Sequence, residues 1–144
     1  MQPKVIFGNP ASEGANRWGW FMGHFITPDD DPRSTTALEI KWGLHKAGDS
    51  RTEWAVNNQA ATLSILINGQ FCLQFEDKKI SLSREGDYVL WCAGVPHCWV
   101  ADSDCTILTV RWPSTPNDSV AMRSPLALRS VQSSTVGRNP ESPQ

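Results

Sequence analysis

The chain has little net charge, 13 Lys+Arg against 15 Asp+Glu in 144 residues, only three histidines, one tyrosine and no long apolar run. Each shortage removes a class of function. Without a surplus of cations there is no basic face to make nucleic acid a partner, and without a polybasic stretch no membrane surface either. No segment approaches the ~18 consecutive apolar residues of a spanning helix. Near the start, Val5-Ile6-Phe7 is followed at once by Gly8, far short of the apolar core of a secretory signal. The four cysteines, at 72, 92, 98 and 105, make no C-x-x-C pair, so the expectation is reduced thiols in a cytoplasm and neither a zinc ribbon nor a disulfide framework. A Gly-rich phosphate loop, a G-x-S-x-G elbow and an H-E-x-x-H helix are all missing, which removes nucleotide, α/β-hydrolase and zinc-protease chemistry.

What the chain does have is seven tryptophans and a series of short alternating runs. Trp18 to Ile26 reads as an aromatic strand. Thr36 to His45 alternates most clearly, with Leu38, Ile40, Trp42 and Leu44 on one face and Glu39, Lys41, Gly43 and His45 on the other. The apolar face is expected to be the buried one and the polar face solvated; the alternative turns the polar face into a barrel. Two alternating runs joined through Asn68-Gly69 predict a β-hairpin over Thr62–Glu76. Turns then divide the remainder into strands at 80–83, 88–91, 97–100 and 105–112. Short strands at this spacing, with no helix between them, imply an all-β sandwich or barrel. After Trp112 the composition changes to five prolines, seven serines and no aromatic residue. Such a segment buries too little to offset chain entropy, so residues 1–112 read as one domain and 113–144 as a disordered tail, with at most a short helix over 121–131.

Two glycine-anchored segments resemble the motifs of the cupins, small double-stranded β-helix barrels of the jelly-roll type. Gly86-Asp-Tyr-Val-Leu-Trp-Cys-Ala-Gly94-Val-Pro-His97 keeps the glycines and the histidine of the second motif, with Cys92 and Ala101 at its Pro and Asn positions. In the first motif, Gly69 fits the closing glycine, which puts Thr62 at the glutamate and, with the three-residue spacing, Val56 and Asn58 at the two histidines. Only His97 then survives of the usual three His and one Glu. The resemblance implies a cupin barrel whose customary metal chemistry is undercut, and a homodimer as partner.

His97 is the leading site residue, with Trp91 and Trp99 bracketing it and Thr62 at the lost glutamate. Arg51 lies three residues before Trp54, and Arg111 is adjacent to Trp112. An arginine fork beside an aromatic wall suits a small carboxylate. Cys92 reads as a small buried residue. The expected function is a small-molecule-binding barrel acting as sensor, carrier or accessory domain, lined by His97, Trp99, Trp91, Thr62, Arg51, Arg111 and Trp54, with no metal or other cofactor. The alternative is a metal-dependent dioxygenase or isomerase holding Fe, Mn, Ni or Zn through His24, His45, His97 and Glu39. The apolar Leu38, Ile40, Trp42, Leu44 face is the candidate contact between two copies.

Overall fold

The computed structural model describes residues 4–122. Strands follow in the order β1 (Trp20–Met22), β2 (Glu39–His45), β3 (Ser50–Asn57), β4 (Ala61–Asn68), β5 (Phe71–Gln74), β6 (Lys79–Leu82), β7 (Tyr88–Trp91), β8 (His97–Ala101), β9 (Cys105–Trp112) and β10 (Ser119–Met122). They form two five-stranded sheets, β1-β2-β9-β4-β7 and β10-β3-β8-β5-β6, and every strand pair is antiparallel. Two facing antiparallel sheets bear out the sandwich or barrel expected from the strand spacing and the double-stranded β-helix implied by the resemblance. The apolar core sits between the sheets, built from Leu66, Phe71, Leu73, Leu82, Trp99 and Ile107.

Several local expectations change. The aromatic strand is only three residues long, because Gly19 and Gly23 have φ of +100° and +149° and break the extended backbone on both sides. The segment 50–57, to which the sequence reading assigns no element, is the long strand β3. Asn68-Gly69 is a turn but not a hairpin turn. β4 pairs with β9 and β7, β5 with β6 and β8, so the dipeptide carries the chain from one sheet to the other. A turn signal sets chain direction locally; the pairing partner is a tertiary choice, and here β9 and β7 occupy both sides of β4. Gly69 is required there, since a Cβ would lie 2.2 Å from the Asp104 carbonyl oxygen.

The expected boundary at Trp112 is too early. Asp118 accepts hydrogen bonds from the backbone N–H of Gln59 (2.7 Å) and Ala60 (3.1 Å), and Ser119–Met122 then pairs with Asn57–Trp54. Side chain-to-backbone bonds of this kind hold a segment that composition alone marks as loose. Ala121 and Met122, part of the short helix considered over 121–131, are strand; residues 123–144 lie outside those described.

Candidate functional site

The polar face of β2 points inward, reversing the preferred expectation. Lys41 is 1% exposed and Glu39 8%, whereas Leu44 is 60% exposed. The reason is what lies across the sheet: Glu39 is in register with Arg111 on β9, and Lys41 with Thr109, so the inward polar residues of three strands meet one another instead of water. Running across the first sheet, one inward row is Glu39, Arg111, Thr62 and Trp91, and the next is Lys41, Thr109, Ser64 and Val89. Ser64 and Thr109 satisfy each other at 3.0 Å.

From the second sheet come Ala55 opposite His97, and Arg51 opposite Trp99. His97 is fully buried; its ring lies 4.8 Å from that of Trp91, and its Nδ1 donates to the Val95 carbonyl at 3.1 Å. Trp99 stacks on Phe71 (5.2 Å) and touches His45 (4.5 Å), nearer the apolar end of the barrel. Of the residues read as lining the site, Thr62, Trp91, His97, Trp99, Arg51 and Arg111 thus face the interior. Trp54 is also buried, but it pairs with Met122 of β10 and does not wall the Arg111 cavity. Cys92, read as buried, is exposed, while Cys98 is buried and its thiol is pushed up to about 11 by that burial.

The first-motif register also shifts by one. Ala55 and Asn57 are the inward, buried residues of β3, whereas Asn58 is exposed, so the longer of the two permitted spacings before Thr62 applies. A divalent ion of the kind cupins hold would find Ala55, Asn57, Thr62 and His97 at its ligand positions, one imidazole and no anionic donor, with the Arg111 guanidinium one strand away. These residues do not fit such an ion. The alternative set is not assembled either. His24 lies 3.7 Å from Glu39, but His45 packs between Phe71 and Trp99 and His97 against Trp91. Among the described residues no group of three or more His, Cys, Asp or Glu is placed to share an ion.

What stands in this region is a cluster of cations. Lys41, Arg51 and Arg111 are all buried, with Glu39 among them. Burial, followed by the charges of Arg111 and Arg51, pushes the Lys41 ammonium down to about 7. Arg111 is lowered to about 10, again chiefly by burial. Lys41 Nζ and Arg111 Cζ sit over the same Trp20 ring, at 5.8 and 4.8 Å from its centre. Glu39 receives a bond from Ser114 Oγ at 2.8 Å and approaches Arg111 Nη1 at 3.5 Å. Since the single Ser114 proton goes to Glu39, His24 Nδ1, 2.7 Å from the same oxygen, is the donor in that pair.

A cavity of about 340 Å³ opens onto the Arg111 and Glu39 end of this group, walled by Trp20, Phe25, His24, Glu39, Asn57 and Arg111 among others. Arg111 is 3% exposed, yet its Nε and Nη2, like Asn57 Oδ1, have no hydrogen-bond partner among the described residues. Thr62 Oγ1 beside them is unpartnered too. Lys41, Asn57, Ser114 and Asp118 were missed as site residues from the sequence. The first was legible as the inward alternative for β2; the last two sit in a segment whose composition hides them.

No protein-family model and no curated protein matches the chain. Solved structures do. An uncharacterized conserved protein with a double-stranded β-helix domain from Klebsiella pneumoniae superposes with a TM-score of 0.54 at 14% identity, over 62% of this chain and 77% of that one. A cupin protein from Bacteroides fragilis gives 0.51 at 18% identity, over 58% and 71%. KdgF from Halomonas sp. gives 0.50 at 20% identity, over 58% and 74%. Sheet topology and these likenesses agree: the chain has the cupin fold, a double-stranded β-helix.

Proposed function

We propose that the barrel binds a small organic acid, its carboxylate held by Arg111 and its body by the Trp20 and Phe25 walls. The carrying observation is Arg111: a guanidinium 3% exposed, with two N–H-bearing nitrogens unpartnered among the described residues, on the wall of a cavity of about 340 Å³. An unpaired buried donor is costly, and a carboxylate answers two at once through a two-pronged bond. The charge count leans to an anion, because the three neighbouring cations Lys41, Arg51 and Arg111 face two carboxylates, Glu39 and Asp118, both on the cavity wall. Arg111 is in register with Thr62, at the lost glutamate, so a fixed positive charge stands one strand from that position. Such a protein acts as a sensor, carrier or accessory domain in a cytoplasm and works as a homodimer.

Trp20 is the reporter. Titrating acetate, pyruvate, succinate and phenylacetate against tryptophan fluorescence is expected to give saturable quenching with the acids and none with their methyl esters. Arg111→Lys keeps the charge but loses the fork, and is expected to weaken binding about tenfold, roughly 1.4 kcal/mol. Equal responses to acids and esters, or an R111K protein that binds as tightly as the parent, would overturn the reading.

A further inference from the structure

The cavity that Arg111 walls has a second guanidinium nearer solvent. Resting on the carboxylate reading above, we propose that the ligand is a dicarboxylic acid, its inner carboxylate on Arg111 and its outer one on Arg17. Arg17 lines the same cavity, and it is half-buried where Arg111 is buried. Its side chain is held from two directions. Nε donates to the Trp20 carbonyl at 3.2 Å, and Cζ lies 5.7 Å from the centre of the Phe25 ring. The short turn Ala15–Arg17 is followed by Trp18 and Gly19, both with positive φ, and they fold the chain back so that Arg17 reaches a carbonyl three residues ahead.

Aromatic surface separates the two cations. Arg111 sits over Trp20 at 4.8 Å, Arg17 over Phe25 at 5.7 Å, and the two rings meet edge to face with centres 6.4 Å apart. Guanidinium, ring, ring and guanidinium thus follow one another along the wall, which matches two anionic ends joined by an apolar chain. The terminal nitrogens of Arg17 have no acceptor among the described residues, and the acids of its own segment, Glu13 and Asp31, are paired with Arg33. The carboxylates of the wall are engaged too, Glu39 by Ser114 and Arg111, Asp118 by the backbone N–H of Gln59 and Ala60. A monocarboxylate answers Arg111 and leaves Arg17 to water, whereas a diacid answers both forks. Because Arg17 is already held, little rotamer freedom is lost when the second contact forms. A carboxylate brings the single charge that one guanidinium matches; a phosphate would bring more, and no other Lys or Arg stands on the described wall.

Isothermal titration calorimetry on the full chain compares succinate, glutarate, adipate and suberate with the monomethyl ester of each, so that length is fixed while one charge is removed. At one length or more the diacid is expected to bind about tenfold more tightly than its half-ester, and Arg17→Gln to bring that ratio close to one. A merely structural role for Arg17 would move both affinities together and leave the ratio standing. Arg17→Lys, which keeps the charge and loses the fork, is expected to give an intermediate ratio, and it supplies the comparison if the glutamine variant does not fold. Diacids no tighter than their half-esters at every length, or a ratio that survives both substitutions, overturn the inference; saturable binding of the half-esters then still supports the role of Arg111. Binding of neither diacid nor half-ester removes both readings.

Discussion

Lys41 makes the folded state sensitive to pH in a direction that can be worked out. Its folded value near 7 lies below the ordinary 10.5, with burial as the main cause. Between those values the unfolded chain holds a proton that the folded chain does not, so stability rises with pH across that window. The slope from this one group approaches about 1.4 kcal/mol per pH unit. Chemical denaturation at pH 7 and pH 9 is expected to show the folded state strengthening, and Lys41→Met to flatten the change; a parent protein with equal stability at both would contradict the burial of a charged amine. The same residue shows where sequence reading runs out. Alternation correctly put Glu39, Lys41 and His45 on one face of β2, but period two does not say which face is inside. Four apolar residues against one ammonium, one carboxylate and one imidazole favoured the wrong side. Arg111 and Thr109, more than sixty residues away, supply the partners that make the polar face the inner one. The one-residue error in the first motif has the same origin: Ala55 and Asn57 face inward because β3 is in register with β8 at Ala55–His97, and no local spacing carries that register.

Elements that alternate and end in turns were legible: β7 and β9 have the expected bounds, and β2, β4, β5, β6 and β8 differ by a few residues. β10 was not, because its hold on the barrel is made by one side chain and not by its own composition. Asp118, 8% exposed, takes the backbone N–H of Gln59 and Ala60 and lies 3.3 Å from Asn57 Nδ2. Charge-assisted bonds to buried donors contribute about 1.5–3 kcal/mol each, and their loss leaves those donors unpaired. Asp118→Ala is therefore expected to destabilise the domain by about 2–3 kcal/mol, with Asp118→Asn recovering part of it because one amide oxygen still accepts. Urea titration of the three proteins measures this. Because Asn57 and Asp118 also wall the cavity, the alanine variant is further expected to weaken carboxylate binding; a variant as stable as the parent would mean that β10 does not brace the site.

Turning the polar face of β2 inward leaves the apolar faces of four strands outward, and they are in register. Ile40, Val110, Leu63 and Leu90 form one outward row, and Trp42, Leu108, Ile65 and Tyr88 the next. Leu90 is 52% exposed and Tyr88 67%. Continuous apolar rows across a sheet differ from scattered surface residues, because a flat partner can cover all of them at once. A second copy related by a two-fold axis presents the same rows and is self-complementary, and these rows supply the apolar centre of an interface of about 800 Å² per partner. The contact face named from the sequence, Leu38, Ile40, Trp42 and Leu44, is thus extended by β4, β7 and β9 and carries the homodimer as an expectation. Leu90→Glu adds a charge at an already exposed position and leaves the barrel interior untouched, so it separates assembly from folding. Light scattering coupled to size-exclusion chromatography at micromolar concentration should give a dimer for the parent and a monomer with unchanged circular dichroism for the variant. A monomeric parent, or a variant that remains a dimer, would place the contact elsewhere or remove it. The carboxylate cavity opens between β1, β9 and β10 rather than on this outward face, so the monomeric variant is expected to bind its acid with the parent's affinity.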